Sequence, residues 1–288
     1  MGAGGYARDD EAIAFFTRIR ALVRPDMVVV DLGAGRGSRF DEPDGFHARF
    51  CNLQGEVARL VGLDVDDAVR AHPHLDEAHV LSAGAPFPLA DRSVDLLFCE
   101  YVLEHVEEPN AFAAEIGRVL KPGGWFCALT PNRRGYVGLG NRLVPPAAKR
   151  ALMHRLWPER RDQDAFETHY RLNTLADLRR AFPGWHHHSH VQAATPKYHA
   201  NATPLFLAVA MLQRLAPDAL QTNLMVFVRK NEAGRVLVEP PEMIADLEQA
   251  EERLAAFAGM PSEGSARPVP ATALASPRPR TPPRPRFS

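Results

Sequence analysis

The stretch Met27-Val28-Val29-Val30-Asp31-Leu32-Gly33-Ala34-Gly35-Arg36-Gly37 decides the fold. Its first six residues form an apolar, β-branched run interrupted only by Asp31, the pattern of a parallel strand buried on both faces. Three alternating glycines follow. They suit a sharp turn out of a strand, where backbone approaches a ligand with no side chain between. Alone they are a weak signal, because many nucleotide-binding folds use the same device.

Working outward, the theme repeats. Upstream, Asp10 to Arg24 spaces Phe15, Ile19 and Leu22 at helical intervals and stops at Pro25. Downstream, strands are expected at Leu60–Asp64, His79–Ser82, Val94–Cys99 and Trp125–Thr130, with a helix over Asn110–Leu120 and a turn at Lys121–Gly124. Alternating strands and helices imply a parallel sheet with right-handed crossovers. The polar, arginine- and aromatic-containing stretch from about 133 to 173 breaks this alternation and reads as a helical lid. A helix over Leu175–Phe182, a strand near His186–Ala193, a helix opened by Thr203-Pro204 with Thr203 as its cap, and a strand over Asn223–Val228 resume it. The apolar helix through Leu205–Leu212 reads as core packing. The divisions expected are an N-terminal helix in 1–25, a main domain in 26–230, a C-terminal helix in 231–259, and a Pro/Arg-rich disordered tail in 260–288.

Composition narrows the function. With 288 residues and a formal net charge of −1, the chain lacks the basic excess of a nucleic-acid binder. Cys51, Cys99 and Cys127 are widely spaced, form no metal-like pair, and fit a reducing cytoplasm; Cys99 and Cys127 read as small core residues. No secretory signal is visible, and no apolar run approaches the roughly 20 residues of a membrane helix. The sequence leaves the oligomeric state open.

Two features turn the glycine loop away from a dinucleotide. Asp31 stands two residues before the first glycine, where a carboxylate repels pyrophosphate but can receive an ammonium group. Ser38 occupies the place of the third dinucleotide-binding glycine. A series of motifs follows in order. It comprises Asp64 at the end of a strand, Phe87-Pro88-Leu89-Ala90-Asp91-Arg92-Ser93-Val94-Asp95, Glu100-Tyr101-Val102-Leu103-Glu104-His105-Val106, and Arg118-Val119-Leu120-Lys121-Pro122-Gly123-Gly124.

With these residues, Val28 to Asn132 resembles the type 11 methyltransferase domain family, which includes quinone-biosynthesis methyltransferases. The resemblance implies a Rossmann-like, doubly wound α/β fold with a mostly parallel seven-stranded sheet, an antiparallel last strand and S-adenosylmethionine as cofactor. It implies that Asp31, Gly33, Ala34 and Gly35 line the methionine and ribose part, that Asp64 and Val65 hold the ribose side, and that Ala83 and Gly84 lie at the adenine side. Glu100 is placed beside the sulfonium. The chain departs from the family in having Ala83 where an acidic residue often meets the adenine amine, and in the small insertion Asp41-Glu42-Pro43-Asp44-Gly45.

For the transfer itself, His105, His169 and Tyr170 are candidates for a base or an acceptor contact. His105 also reads as a structural part of the Leu-Glu-His-Val motif, and His169 and Tyr170 as lid surface. His186, His188 and His190 would share one face of a regular strand, but an exposed sheet edge explains them without zinc, so no metal is expected. The lid cations Arg133, Arg134, Arg142, Lys149, Arg150, Arg155, Arg160 and Arg161 read as a cradle for an acidic acceptor or as a solvated helix face. The expected acceptor is a small molecule, a saccharide or a lipid-like compound. A nicotinamide-linked oxidoreductase and a non-catalytic cofactor-binding scaffold are the alternatives.

Overall fold

The computed structural model describes residues 10–42, 45–82, 84–136, 138, 167–196 and 202–232. The expected C-terminal helix, the tail, most of the lid, Ala83, and the lid cations from Arg142 to Arg161 lie outside them.

Strand β1 (Val28–Leu32) is flanked by β2 (Arg59–Asp64) and β4 (Val94–Glu100), both parallel to it. β3 (Glu77–Val80) extends one side and β5 (Leu120–Pro131) the other, again in parallel. Next to β5 lies β8 (Asn223–Arg229), which runs antiparallel to it. Two short strands, β6 (His186–His187) and β7 (His190–Gln192), pair with the far side of β8, also antiparallel. The order is β3-β2-β1-β4-β5-β8-β6, with β7 also on β8. Strand succession therefore reverses between β1 and β4, which opens a crevice at their carboxyl ends, where ligands bind in open α/β sheets.

Alternate residues of the central strands fill two layers. Val30, Leu32, Leu97 and Cys99 pack with Ile116 and Val119 of α3 (Pro109–Val119) and with Leu178 of α4 (Leu175–Ala181). Val29, Leu96, Phe98 and Cys127 face Phe15, Phe16 and Ile19 of α1 (Glu11–Leu22). Those three α1 side chains are at most 1% exposed, and each contributes about 1.5–3 kcal/mol of apolar burial. Asp10 caps α1 by accepting the Ile13 N–H at 3.0 Å, and the helix stops where Pro25 approaches. The cysteines are buried free thiols, as the apolar runs around Cys99 and Cys127 suggest.

Several elements differ from the sequence reading. The third strand lies two residues earlier, because Asp76 accepts the Leu60 N–H at 2.7 Å and returns its own N–H to Leu60 O at 2.9 Å, starting the β2–β3 ladder there. The turn at Lys121–Gly124 is absorbed into β5, with a register shift between Val94 and Leu96. The sixth strand is broken into β6 and β7, giving eight strands rather than seven. Between them the Ser189 hydroxyl accepts the Phe227 N–H at 3.1 Å, while the His188 N–H donates to Phe227 O at 2.8 Å. The rings of His188 and His190 sit near Trp125 and Phe227, and no metal-binding group of side chains occurs among the described residues.

Helix α5 (Thr203–Leu215) is capped at Ala202, not by Thr203. Its apolar face is not core. Leu207, Met211, Leu212 and Leu215 are 60, 64, 63 and 72% exposed. No described helix is long and apolar enough to cross a membrane.

Candidate active site

The crevice is built from three turns at the carboxyl ends of β1, β2 and β4. Leaving β1, Gly33 has φ +78° and its N–H donates to Leu63 O at 2.7 Å, which ties the loop to β2. A Cβ on Gly33 would come within 2.4 Å of Val102 Cγ2, so the stretch after β4 lies directly on the loop. Gly35 also has positive φ, +56°, but its Cβ direction is open, with Asp64 Oδ2 nearest at 3.9 Å. Among the described residues no side chain enters that space, which lets a ligand approach the backbone closely.

Asp64 closes β2. Its Oδ2 accepts the Gly35 N–H at 2.7 Å and its Oδ1 accepts the Asp66 N–H at 2.8 Å. Each carboxylate oxygen keeps a second lone pair, suited to paired hydroxyls. Val65 follows at 58% exposure, and the Asp64 carbonyl receives the Leu81 N–H at 2.6 Å. Gly84, on the side expected for adenine, has φ +73°, and no described residue lies within 4 Å of its Cβ direction.

Asp31, at the end of β1, is partly buried. Burial and then the neighbouring Glu100 carboxylate push its pKa up to about 8, with Arg39 pulling the other way. No described residue donates a hydrogen bond to its carboxylate. A carboxyl held in this way gains most from a cation supplied from outside.

Glu100, at the end of β4, is gripped by Arg39 from the 3₁₀ turn Ser38–Phe40. Nη1 and Nη2 meet Oε1 and Oε2 at 2.7 Å each. The guanidinium lies 5.0 Å from the Phe16 ring centre. Burial opposes its charge, but Glu100 more than compensates and keeps Arg39 protonated. Next in the chain, Tyr101 has φ +56° and donates its hydroxyl to Glu11 of α1 at 3.2 Å. Sequence reasoning missed both Arg39 and Tyr101 as site residues. The only local signal was a polar pair, Ser38-Arg39, where the third dinucleotide glycine would fall.

On the side expected for the acceptor, the 3₁₀ turn Leu103–His105 meets the segment 167–173. The Glu104 carbonyl accepts the N–H groups of His169 at 2.7 Å and Tyr170 at 3.1 Å. The Glu104 side chain is buried and accepts from Thr130 Oγ1 at 2.9 Å. Asn173 Nδ2 donates to the same hydroxyl at 2.8 Å and to Pro131 O at 2.9 Å. Burial raises the Glu104 pKa above the ordinary carboxylate value. His105 Nδ1 donates to Glu167 O at 2.6 Å, which places its basic nitrogen at Nε2. The structure thus gathers Asp31, Gly33, Ala34, Gly35, Asp64 and Glu100 in one crevice, with His105, His169 and Tyr170 around a second turn beside it.

A glycine loop ringed by three carboxylates at a strand-order reversal can hold a ribose-bearing cation, and opposes a pyrophosphate. Fold and site together are those of a Rossmann-like α/β domain with a crevice suited to such a ligand. Residues 30–128 match the family described as Methyltransferase domain.

A probable S-adenosylmethionine-dependent methyltransferase of Mycolicibacterium smegmatis is 38% identical over 111 residues, covering 36% of this chain and 38% of that protein. Dimethylglycine N-methyltransferase of Parasynechococcus marenigrum is 28% identical over 153 residues, covering 48% of this chain and 52% of its own. A ubiquinone/menaquinone biosynthesis C-methyltransferase of Shewanella pealeana is 30% identical over 125 residues, covering 40% and 46%. The chain therefore spans about half or less of the length of these relatives.

Proposed function

We propose that this chain transfers a methyl group from S-adenosylmethionine to an oxygen, nitrogen or carbon nucleophile of a small-molecule, saccharide or lipid-like acceptor. One observation carries the reading: Asp31, Asp64 and Glu100 stand at the carboxyl ends of three neighbouring strands around a loop whose Gly35 borders a space that no described side chain fills. The residues present suit this cofactor. Asp31 has a raised pKa and lacks a cation of its own beyond Arg39, which Glu100 holds. The relatives' names agree with it, and they span N- and C-methylation.

The bound cofactor supplies an electrophilic methyl on a positive sulfur. The chain's contribution is placement and exclusion of water. Asp31 takes the ammonium, Asp64 and the backbone at Val65 take the ribose, and Gly84 with the neighbouring Ala83 borders the base. Glu100 favours positive charge at the end of β4. Val102 roofs Gly33, and the Tyr101–Glu11 hydrogen bond brings α1 against the crevice. Beside it, His105 offers Nε2 as a base for acceptors that must lose a proton, with His169 and Tyr170 as acceptor contacts.

The test is calorimetry and thermal shift with S-adenosylmethionine, S-adenosylhomocysteine and NAD, followed by mass-spectrometric search for methylated products in a metabolite panel. A native-state ligand at 100 times its Kd adds about 2.7 kcal/mol of stability. Binding of NAD in preference to S-adenosylhomocysteine would overturn the reading in favour of an oxidoreductase. Tight cofactor binding with no acceptor turned over would favour the scaffold.

A further inference from the structure

An amino-acid end carries a carboxylate on the same carbon as its ammonium. If Asp31 receives the ammonium, the carboxylate arrives a few ångströms away, in a crevice that already holds Asp31, Asp64 and Glu100. It needs a cation there.

The described residues offer few. Arg36 meets both oxygens of Asp41 at 3.0 Å through Nη1 alone, in an exposed pair that does not fix its plane. Arg20 is committed to Glu56, Phe50 O and Asn52 O. His72, beside Gly37, has its pKa lowered to about 4 by burial and is neutral at pH 7. Arg39 is different. Asp31 and Arg39 are near enough that each shifts the other's proton affinity.

Its hydrogen bonding is also incomplete. Glu100 takes one N–H from each terminal nitrogen. A guanidinium has five such donors in a fixed plane, so three remain, and no described residue accepts them. With its side chain 29% exposed, Arg39 is reachable from the crevice. Packing over Phe16 and the two bonds to Glu100 hold its plane still, so the ordering cost is met before any ligand arrives. A partly buried ion pair is a poor source of stability in itself. As a pre-oriented fork it has a use.

We infer that Arg39 binds the carboxylate at the amino-acid end of the cofactor, and that Glu100 is the positioning residue holding the guanidinium for it. This rests on the methyltransferase reading. Bound, the groups alternate in sign from Asp31 through the ligand's ammonium and carboxylate to Arg39 and Glu100, so none of the charges is left without an opposite neighbour.

The experiment is isothermal titration of the full chain with S-adenosylhomocysteine and with its decarboxylated analogue, which keeps the ammonium but lacks the carboxylate. The wild-type protein is expected to prefer S-adenosylhomocysteine at least tenfold. Arg39→Gln should weaken S-adenosylhomocysteine about 10- to 100-fold and leave the analogue within threefold. Arg39→Lys should keep part of the preference, and Glu100→Gln should reduce it without abolishing binding. Equal affinity of Arg39→Gln and wild type for S-adenosylhomocysteine overturns the inference, as does an equal loss of both ligands. If Arg39→Gln does not fold, the wild-type ratio decides, and a ratio near one overturns it. Failure of the wild-type protein to bind either ligand instead removes the methyltransferase reading beneath it.

Discussion

The backbone N–H of Gly35 donates to Asp64 Oδ2 at 2.7 Å, so the carboxylate proposed to take the ribose also shapes the glycine loop. Asp64→Ala is expected to lose this bond and the one from Asp66. Hydrogen bonds to charged groups are worth about 1.5–3 kcal/mol each, so affinity for S-adenosylhomocysteine should fall at least tenfold. Asp64→Asn keeps one carbonyl acceptor and should fall between. An Asp64→Ala protein that binds within twofold of wild type removes Asp64 from the site.

Gly33 carries two constraints, a φ of +78° and Val102 Cγ2 at 2.4 Å from any added Cβ. Gly33→Ala should cost about 2–4 kcal/mol in urea unfolding. Part of that is steric. Combined with Val102→Ala, the loss should be at least about 1 kcal/mol smaller than the sum of the single losses. Strict additivity would show that Val102 is not what forbids the side chain.

On the proposed reading, Asp31 makes cofactor binding depend on pH. In the free protein its pKa is raised to about 8, with Glu100, Arg39 and Asp64 the charged groups around it. It must ionise to pair with an ammonium, so binding at pH 7 should release close to one proton. Affinity should rise from pH 6 to pH 8, by up to about tenfold per unit, and flatten above. Calorimetry at pH 7 in buffers of different ionisation enthalpy reads the proton directly. Asp31→Asn should abolish the release, and a wild-type protein that releases none contradicts the assignment.

Glu104 has the same sign in its effect on folding. Burial raises its pKa above the ordinary glutamate value of 4.5, so the folded protein holds the proton more tightly than the unfolded chain. The stability it contributes is complete below about pH 4.5 and is lost as pH climbs through the raised value. Glu104→Gln mimics the neutral acid and can still accept from Thr130. Urea midpoints should therefore shift in favour of Glu104→Gln as pH goes from 5 to 8. A difference between the two proteins that does not change with pH would mean that Glu104 is ionised in the native state throughout.

The parallel part of the fold was legible because burial on both faces leaves unbroken apolar runs, as in Val28–Val30 and Leu96–Cys99. The glycine loop and its carboxylates were legible because strand ends and turns are local. What sequence did not show depends on distant partners. The break between His187 and His190 requires Phe227, 38 positions from Ser189. Arg39 becomes part of the site only through Glu100, 61 positions away, and Phe16 beneath it. The α5 helix was misread because an apolar stripe reports which face avoids water in isolation and not whether the fold supplies a neighbour for it.

Within residues 101–105 the chain fastens three separate parts of the molecule: α1 through Tyr101, the glycine loop under Val102, and the segment 167–173 through Glu104 and His105. On the proposed reading, methyl donor and methyl recipient share a single hinge pin. A substitution there disturbs affinity for both at once, and the two cannot be adjusted independently from that position. Drift toward a new recipient has to enter through side chains that do not bear on this stretch, leaving Tyr101 to His105 as the part of the site least free to vary.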